Sequence, residues 1–128
     1  MSTQIAGKKR ILIVDDERSV LEAARMSLED PKYLILTADN PLEALEIIQQ
    51  SGIDLVVTDY AMPEMKGDEF TTRVREMIPS CPVVMMTAYA EMLGSRVLNQ
   101  VSVLLSKPFF PSQLRDAVEK SFATPPSR

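Results

Sequence analysis

Ile11-Leu12-Ile13-Val14-Asp15-Asp16 decides how this chain is read: four aliphatic residues in a row, then two acids. The run is too short for a helix and does not alternate with polar residues. A strand with one wet face alternates, so an unbroken run points to a strand covered on both faces, as in a parallel sheet between layers of helix. Four further runs have the same character: Tyr33–Leu36, Leu55–Val57, Val83–Met86 and Val101–Leu105.

Helical patterns fill the intervals. Val20, Leu21, Ala24 and Leu28 mark a first stripe, stopped by Pro31. Asn40-Pro41-Leu42-Glu43 reads as an N-cap, a first-turn proline and a capping-box acid, with Leu42, Leu45 and Ile48 behind it and Gly52 as the stop. Phe70, Val74, Met77 and Ile78 form a third stripe. Met92, Leu93, Val97 and Leu98 form a weaker fourth, interrupted by Gly94, which costs about 1 kcal/mol relative to alanine. Leu114, Ala117, Val118 and Phe122 make the fifth. Strand and helix thus alternate five times, and parallel neighbours joined by helices need right-handed crossovers. The expected fold is α/β, a doubly wound five-stranded parallel sheet with helices on both faces. Strand order 2-1-3-4-5 is adopted by analogy with flavodoxin-like folds; it places a topological switch point between the first and third strands.

Composition removes several classes of function. The 128 residues suit one domain. The absence of histidine excludes histidine-ligated zinc and imidazole acid–base chemistry, and a single cysteine excludes a disulfide framework within the chain. A net charge of −4 argues against nucleic-acid binding. No apolar run approaches the roughly 20 residues of a membrane span, and Met1 to Arg10 lacks a signal-peptide core. The expectation is a soluble, cytoplasmic domain.

Four of the aliphatic runs end in polar side chains that could carry chemistry. Asp15 and Asp16 end the first, Thr58-Asp59 the third, Thr87 the fourth and Ser106-Lys107 the fifth. In a parallel sheet these ends share one edge, where open α/β folds bind ligands. Three crowded carboxylates repel, and one lysine does not offset them. A hard divalent cation complements such a set; magnesium prefers oxygen ligands and retains several waters.

With these residues placed, the chain resembles a response-regulator receiver domain of two-component signalling. The matching pieces are Asp15-Asp16, the segment from Val57 through Asp59, Met62-Pro63 and Gly67, then Thr87-Ala88, and Lys107-Pro108-Phe109. The resemblance implies a receiver domain over residues 9–122, an N-terminal tail over 1–8, and a C-terminal tail or the start of a linker over 123–128. It implies that Asp59 accepts a phosphoryl group from a histidine kinase. Asp16 and Asp59 would ligate magnesium, with Asp15 bound directly or through water and the Ala61 carbonyl as a neutral ligand. Thr87 and Lys107 would contact phosphoryl oxygens, and the peptide before Pro108 is usually cis in this family. Partners would be a sensor histidine kinase or a phosphotransfer protein. A second copy or a downstream protein would dock on the face of the fourth helix, fifth strand and fifth helix.

Plainer readings exist for each residue. Asp15 and Asp16 could cap the first helix, Asp59 could belong to a turn, and Gly67 reads as a turn position needing permissive backbone angles. Met85-Met86 reads as core filler and Cys81 as inert. The chain also departs from the family pattern. Leu104 stands three residues before Lys107, where an aromatic is common, and Phe110 stands where an N-capping Asp or Ser is common. Phe110 could mark a contact surface or a hydrophobic staple. Ala61 and Tyr89 flank the phosphorylation site and suggest slow self-dephosphorylation. The alternatives are a receiver-like module that signals without phosphoryl transfer, and a hydrolase using an aspartyl phosphate. The latter conflicts with Ala61, where haloacid-dehalogenase-type phosphatases carry a second acid.

Overall fold

A computed structural model describes residues 7–93 and 100–123. The elements run β1 (Lys9–Val14), α1 (Arg18–Leu28), β2 (Tyr33–Ala38), α2 (Pro41–Gln50), β3 (Leu55–Asp59), α3 (Gly67–Met77), β4 (Val83–Thr87), a 3-10 turn (Ala90–Met92), β5 (Val103–Ser106) and α4 (Pro111–Ala123). The expected helical stripe from Met92 to Leu98, with Gly94, lies largely outside the described residues. The five strands form one parallel sheet in the order β2-β1-β3-β4-β5, as expected.

Alternation along each strand divides the core into two halves. Leu12, Val14 and Val56 face one way and pack with Ala44 and Ile48 of α2 and Phe70 and Val74 of α3. Ile11, Ile13, Leu55 and Val57 face the other way and meet Leu21, Ala24 and Leu28 of α1 and Leu114, Ala117 and Val118 of α4. The central strands lack polar alternation because neither face meets water. β3 and β4 are buried throughout, while the edge strands β2 and β5 are mostly half-buried.

The helix ends show where local reading succeeds. Asn40 caps α2, its Oδ1 accepting from the Glu43 N–H at 2.8 Å, with Pro41 in the first turn. The Glu43 carboxylate accepts from the Asp39 N–H instead of completing a box at Asn40. Gly52 is not a left-handed stop: Ser51 ends α2 in extended conformation, and Gly7 is the only positive-φ residue described. At α4, Phe110 donates its N–H to Gln113 Oε1 at 2.7 Å. Glutamine three residues in thus supplies a cap contact that Phe110's own side chain cannot.

Candidate functional site

Register aligns the polar strand ends. Val14 pairs with Thr58, so Asp15 and Asp59 are level neighbours; Asp59 pairs with Met86, and Thr87 with Ser106. Backbone bonds extend the sheet just past its strands. Tyr60 donates to the Met86 carbonyl, Asp15 to Ala38 and Lys107 to Thr87.

The three acids come together as the sequence suggests. One carboxylate oxygen from each of Asp15, Asp16 and Asp59 lies within 4.8 Å of the others. Their environments differ. Asp15 is fully buried and Asp59 is 5% exposed, whereas Asp16 is exposed. Lys107 reaches across from the end of β5, with Nζ 2.9 Å from Asp59 Oδ1 and 3.2 Å from Asp15 Oδ2. The Lys107–Pro108 peptide is cis.

Helix capping does not account for the acidic pair. The N-cap of α1 is Glu17, without a side-chain cap bond. Asp15 Oδ1 accepts from the Glu17 N–H at 2.8 Å, which fixes the loop after β1, and its other oxygen faces Lys107. Thr87 is 1% exposed, and its Oγ1 accepts from the Tyr89 N–H at 2.9 Å. Ala61 is exposed in the loop after β3. Leu104 is half-buried in β5. Phe110 is 75% exposed, while Phe109 packs against the core. Met85 and Met86 are fully buried core residues. Cys81 is buried too, and burial pushes its thiol up to about 11.

Burial raises the carboxyls of Asp59 and Asp15 above the usual range. For Asp59 the Lys107 hydrogen bond and charge work against the rise, and the charge of Asp16 adds to it. For Asp15 the Glu17 amide and Lys107 oppose burial, while Asp59 reinforces it. Burial alone would lower Lys107, yet its bond to Asp59 and the charges of both acids outweigh that and raise it. One ammonium therefore leaves the acids only partly compensated. Hard oxygen donors converging on one point fit a hard divalent cation.

Two residues named from the sequence play parts that it did not reveal. Thr58 is buried, and its hydroxyl donates to the Asp59 carbonyl at 2.9 Å. Gly67 does not have the positive φ that its turn reading called for. What it supplies is space: a Cβ there would lie 2.8 Å from the Asp59 carbonyl oxygen. Close approach of this kind depends on tertiary packing and leaves no local signal.

A five-stranded parallel sheet with an acidic trio and a lysine at its switch point defines a receiver-type α/β fold. The family model described as the response regulator receiver domain matches residues 11–119, so the chain belongs to that family. It is 34% identical over 128 residues to an uncharacterized 14.6 kDa protein of Leptolyngbya boryana, covering 96% of this chain and 98% of that one. It is 32% identical to sporulation initiation phosphotransferase F of Bacillus subtilis, covering 88% of this chain and 92% of the relative. The sensor kinase CckA of Brucella abortus is 32% identical over 93% of this chain, which spans only 13% of that kinase. Among solved structures, a CheY-like response regulator receiver protein of Methanospirillum hungatei superposes with a TM-score of 0.83 at 29% identity, covering 91% and 94% of the two chains. The response regulator TrrA of Thermotoga maritima, in complex with magnesium and BeF, superposes with a TM-score of 0.79 at 31% identity, covering 88% and 97%. Among the described residues no helix is long and apolar enough to cross a membrane.

Proposed function

We propose that Asp59 accepts a phosphoryl group from the phosphohistidine of a sensor histidine kinase or phosphotransfer protein, in a magnesium-dependent reaction that changes a partner-binding surface. The observation that carries this is the placement of Asp59: a buried carboxylate within 4.8 Å of the oxygens of Asp15 and Asp16 and hydrogen-bonded to Lys107. The receiver unit is taken as residues 9–122, with 1–8 and 123–128 as tails or linker.

Asp16, Asp59 and the Ala61 carbonyl would hold the cation, with Asp15 as a direct or water-bridged ligand. Magnesium, when bound, neutralises charge on the transferring phosphoryl oxygens. The remaining work falls to the chain itself. An Asp59 oxygen attacks phosphorus; the new P–O bond forms as the P–N bond to the donor imidazole breaks, and nitrogen keeps the electron pair. Lys107 already lies on Asp59 and can pair with an arriving phosphoryl oxygen. Thr87 Oγ1 accepts from the Tyr89 amide, which leaves the hydroxyl proton free to be donated to another phosphoryl oxygen. Moving Thr87 toward that oxygen disturbs the Tyr89 amide bond, which links the site to the loop after β4. The surface expected to respond comprises β5, α4 and the stretch between them and β4.

The chain thus promotes its own phosphorylation and slow hydrolytic loss and acts on no further substrate. A cytoplasmic location belongs to the same reading and agrees with the single buried free thiol of Cys81. Magnesium with beryllofluoride tests the switch. Wild type is expected to gain thermal stability and change partner affinity, and Asp59→Asn to do neither. An equal response in both proteins would favour a receiver-like module that signals without phosphoryl transfer.

A further inference from the structure

We propose that Gly67 is a positioning residue for the metal and phosphoryl chemistry at Asp59, an inference that rests on the phosphoacceptor reading of that site. Gly67 is the first residue of α3, and its N–H donates to the Tyr60 carbonyl at 2.7 Å. The loop between β3 and α3 is thereby closed on itself. A Cβ on Gly67 would lie 2.8 Å from the Asp59 carbonyl oxygen, 2.8 Å from Tyr60 Cα and 3.2 Å from Met85 Cε. The end of a methionine can yield, but the two backbone atoms cannot without moving the peptide between Asp59 and Tyr60.

Neither side of this contact is free to retreat. The Asp59–Tyr60 backbone is held by the Thr58 hydroxyl on the Asp59 carbonyl and by the Tyr60 N–H on the Met86 carbonyl. The helix is anchored by Phe70 and Val74, both fully buried. The Gly67 carbonyl also accepts from Thr71 Oγ1 at 2.8 Å. An added methyl must therefore displace one anchored segment or the other.

The displaced peptide matters because Asp59 and Ala61, two of the ligand positions, bracket Tyr60. Asp15 and Asp16 come after a different strand and do not move with it. A shift of the Tyr60 peptide thus changes the spacing between the two halves of the donor set. Magnesium demands near-ideal octahedral geometry, so its affinity responds to such a change. Orienting contacts behind metal ligands typically alter affinity by about 10- to 100-fold when removed.

Magnesium titration of the full chain, monitored by tyrosine fluorescence and calorimetry, tests the inference. Gly67→Ala is expected to fold in EDTA and to bind magnesium about tenfold or more weakly. Gly52→Ala, with nothing within 4 Å of its new Cβ, serves as the control and should match wild type. Met85→Leu with Gly67→Ala removes the yielding contact alone and should not restore affinity. Unchanged affinity in folded Gly67→Ala overturns the inference, and so does full recovery in the double variant, which would place the effect in core packing. If neither variant folds, Gly67 serves folding alone and the inference fails. A wild type indifferent to magnesium sinks the phosphoacceptor reading itself, and this inference with it.

Discussion

At Asp59, burial and charge pull in opposite directions. Burial favours the protonated carboxyl, Lys107 favours the ionised one, and burial prevails for both Asp59 and Asp15. The folded chain then binds protons at these positions more tightly than the unfolded chain. Their contribution to stability is greatest at low pH and declines as pH rises from the ordinary carboxylate range through the raised values. Lys107 follows the same sign at the alkaline end: its contribution persists below its ordinary value of 10.5 and is lost as pH rises through the raised one. In EDTA, Asp59→Asn should therefore raise thermal stability at neutral pH and flatten the acid-to-neutral decline. Chemical denaturation across pH checks both; a less stable variant at neutral pH would contradict the account of this site. A second prediction concerns the lifetime of the phosphorylated form. Ala61 has no polar side-chain atom with which to orient a water, and Tyr89 is 55% exposed just past Thr87. Wild type should lose its phosphoryl group more slowly than Ala61→Asn in a discharge assay; equal or faster loss in wild type would count against this.

The elements show how local chemistry serves the site. Phe70 is fully buried on α3, the helix whose first residue abuts Asp59. Phe70→Ala should cost about 3–5 kcal/mol in denaturant titration and weaken magnesium binding in the same protein. Asn40→Ala removes the cap of α2, remote from the site; about 1 kcal/mol should be lost with magnesium affinity unchanged. These elements also show what can be read from residues in order. Ile11–Val14 and Leu55–Val57 were legible because strands covered on both faces have no polar interruptions. Strand ends were harder to read than strand centres: β1 begins two residues before Ile11, β2 runs two past Leu36, β3 two past Val57, and β5 begins two after Val101. The cap at Asn40 was legible because it lies within one turn. Gly52 misled because a glycine after a helix is a common stop and yet not an obligatory one. The role of Gly67 was hidden because the atoms it must clear belong to β3, β4 and the loop between β3 and α3. Asp15, Asp16, Asp59 and Lys107 were legible through a rule of topology, that parallel strands end on one edge. Their unequal burial was not, because it depends on which loop covers which acid.

Across the whole molecule, the sheet brings together residues separated by 92 positions in the chain, as at Asp15 and Lys107. The same edge carries exposed apolar side chains: Tyr89 and Met92 beyond β4, and Phe110 beyond β5. Phe110→Ser changes an exposed side chain, so stability should move by no more than about 0.5 kcal/mol. The second copy or downstream protein expected on this face should nonetheless bind less tightly, which a binding titration or the oligomeric state of the variant would reveal. The functional expectations depend on Asp59 forming a bond to phosphorus under the control of a bound cation. Intact-protein mass spectrometry after incubation with acetyl phosphate and magnesium tests that claim most directly. Wild type should gain the mass of one phosphoryl group, and neither Asp59→Asn nor wild type in EDTA should do so. A wild type that stays unmodified, or an Asp59→Asn variant that gains the same mass, would contradict it.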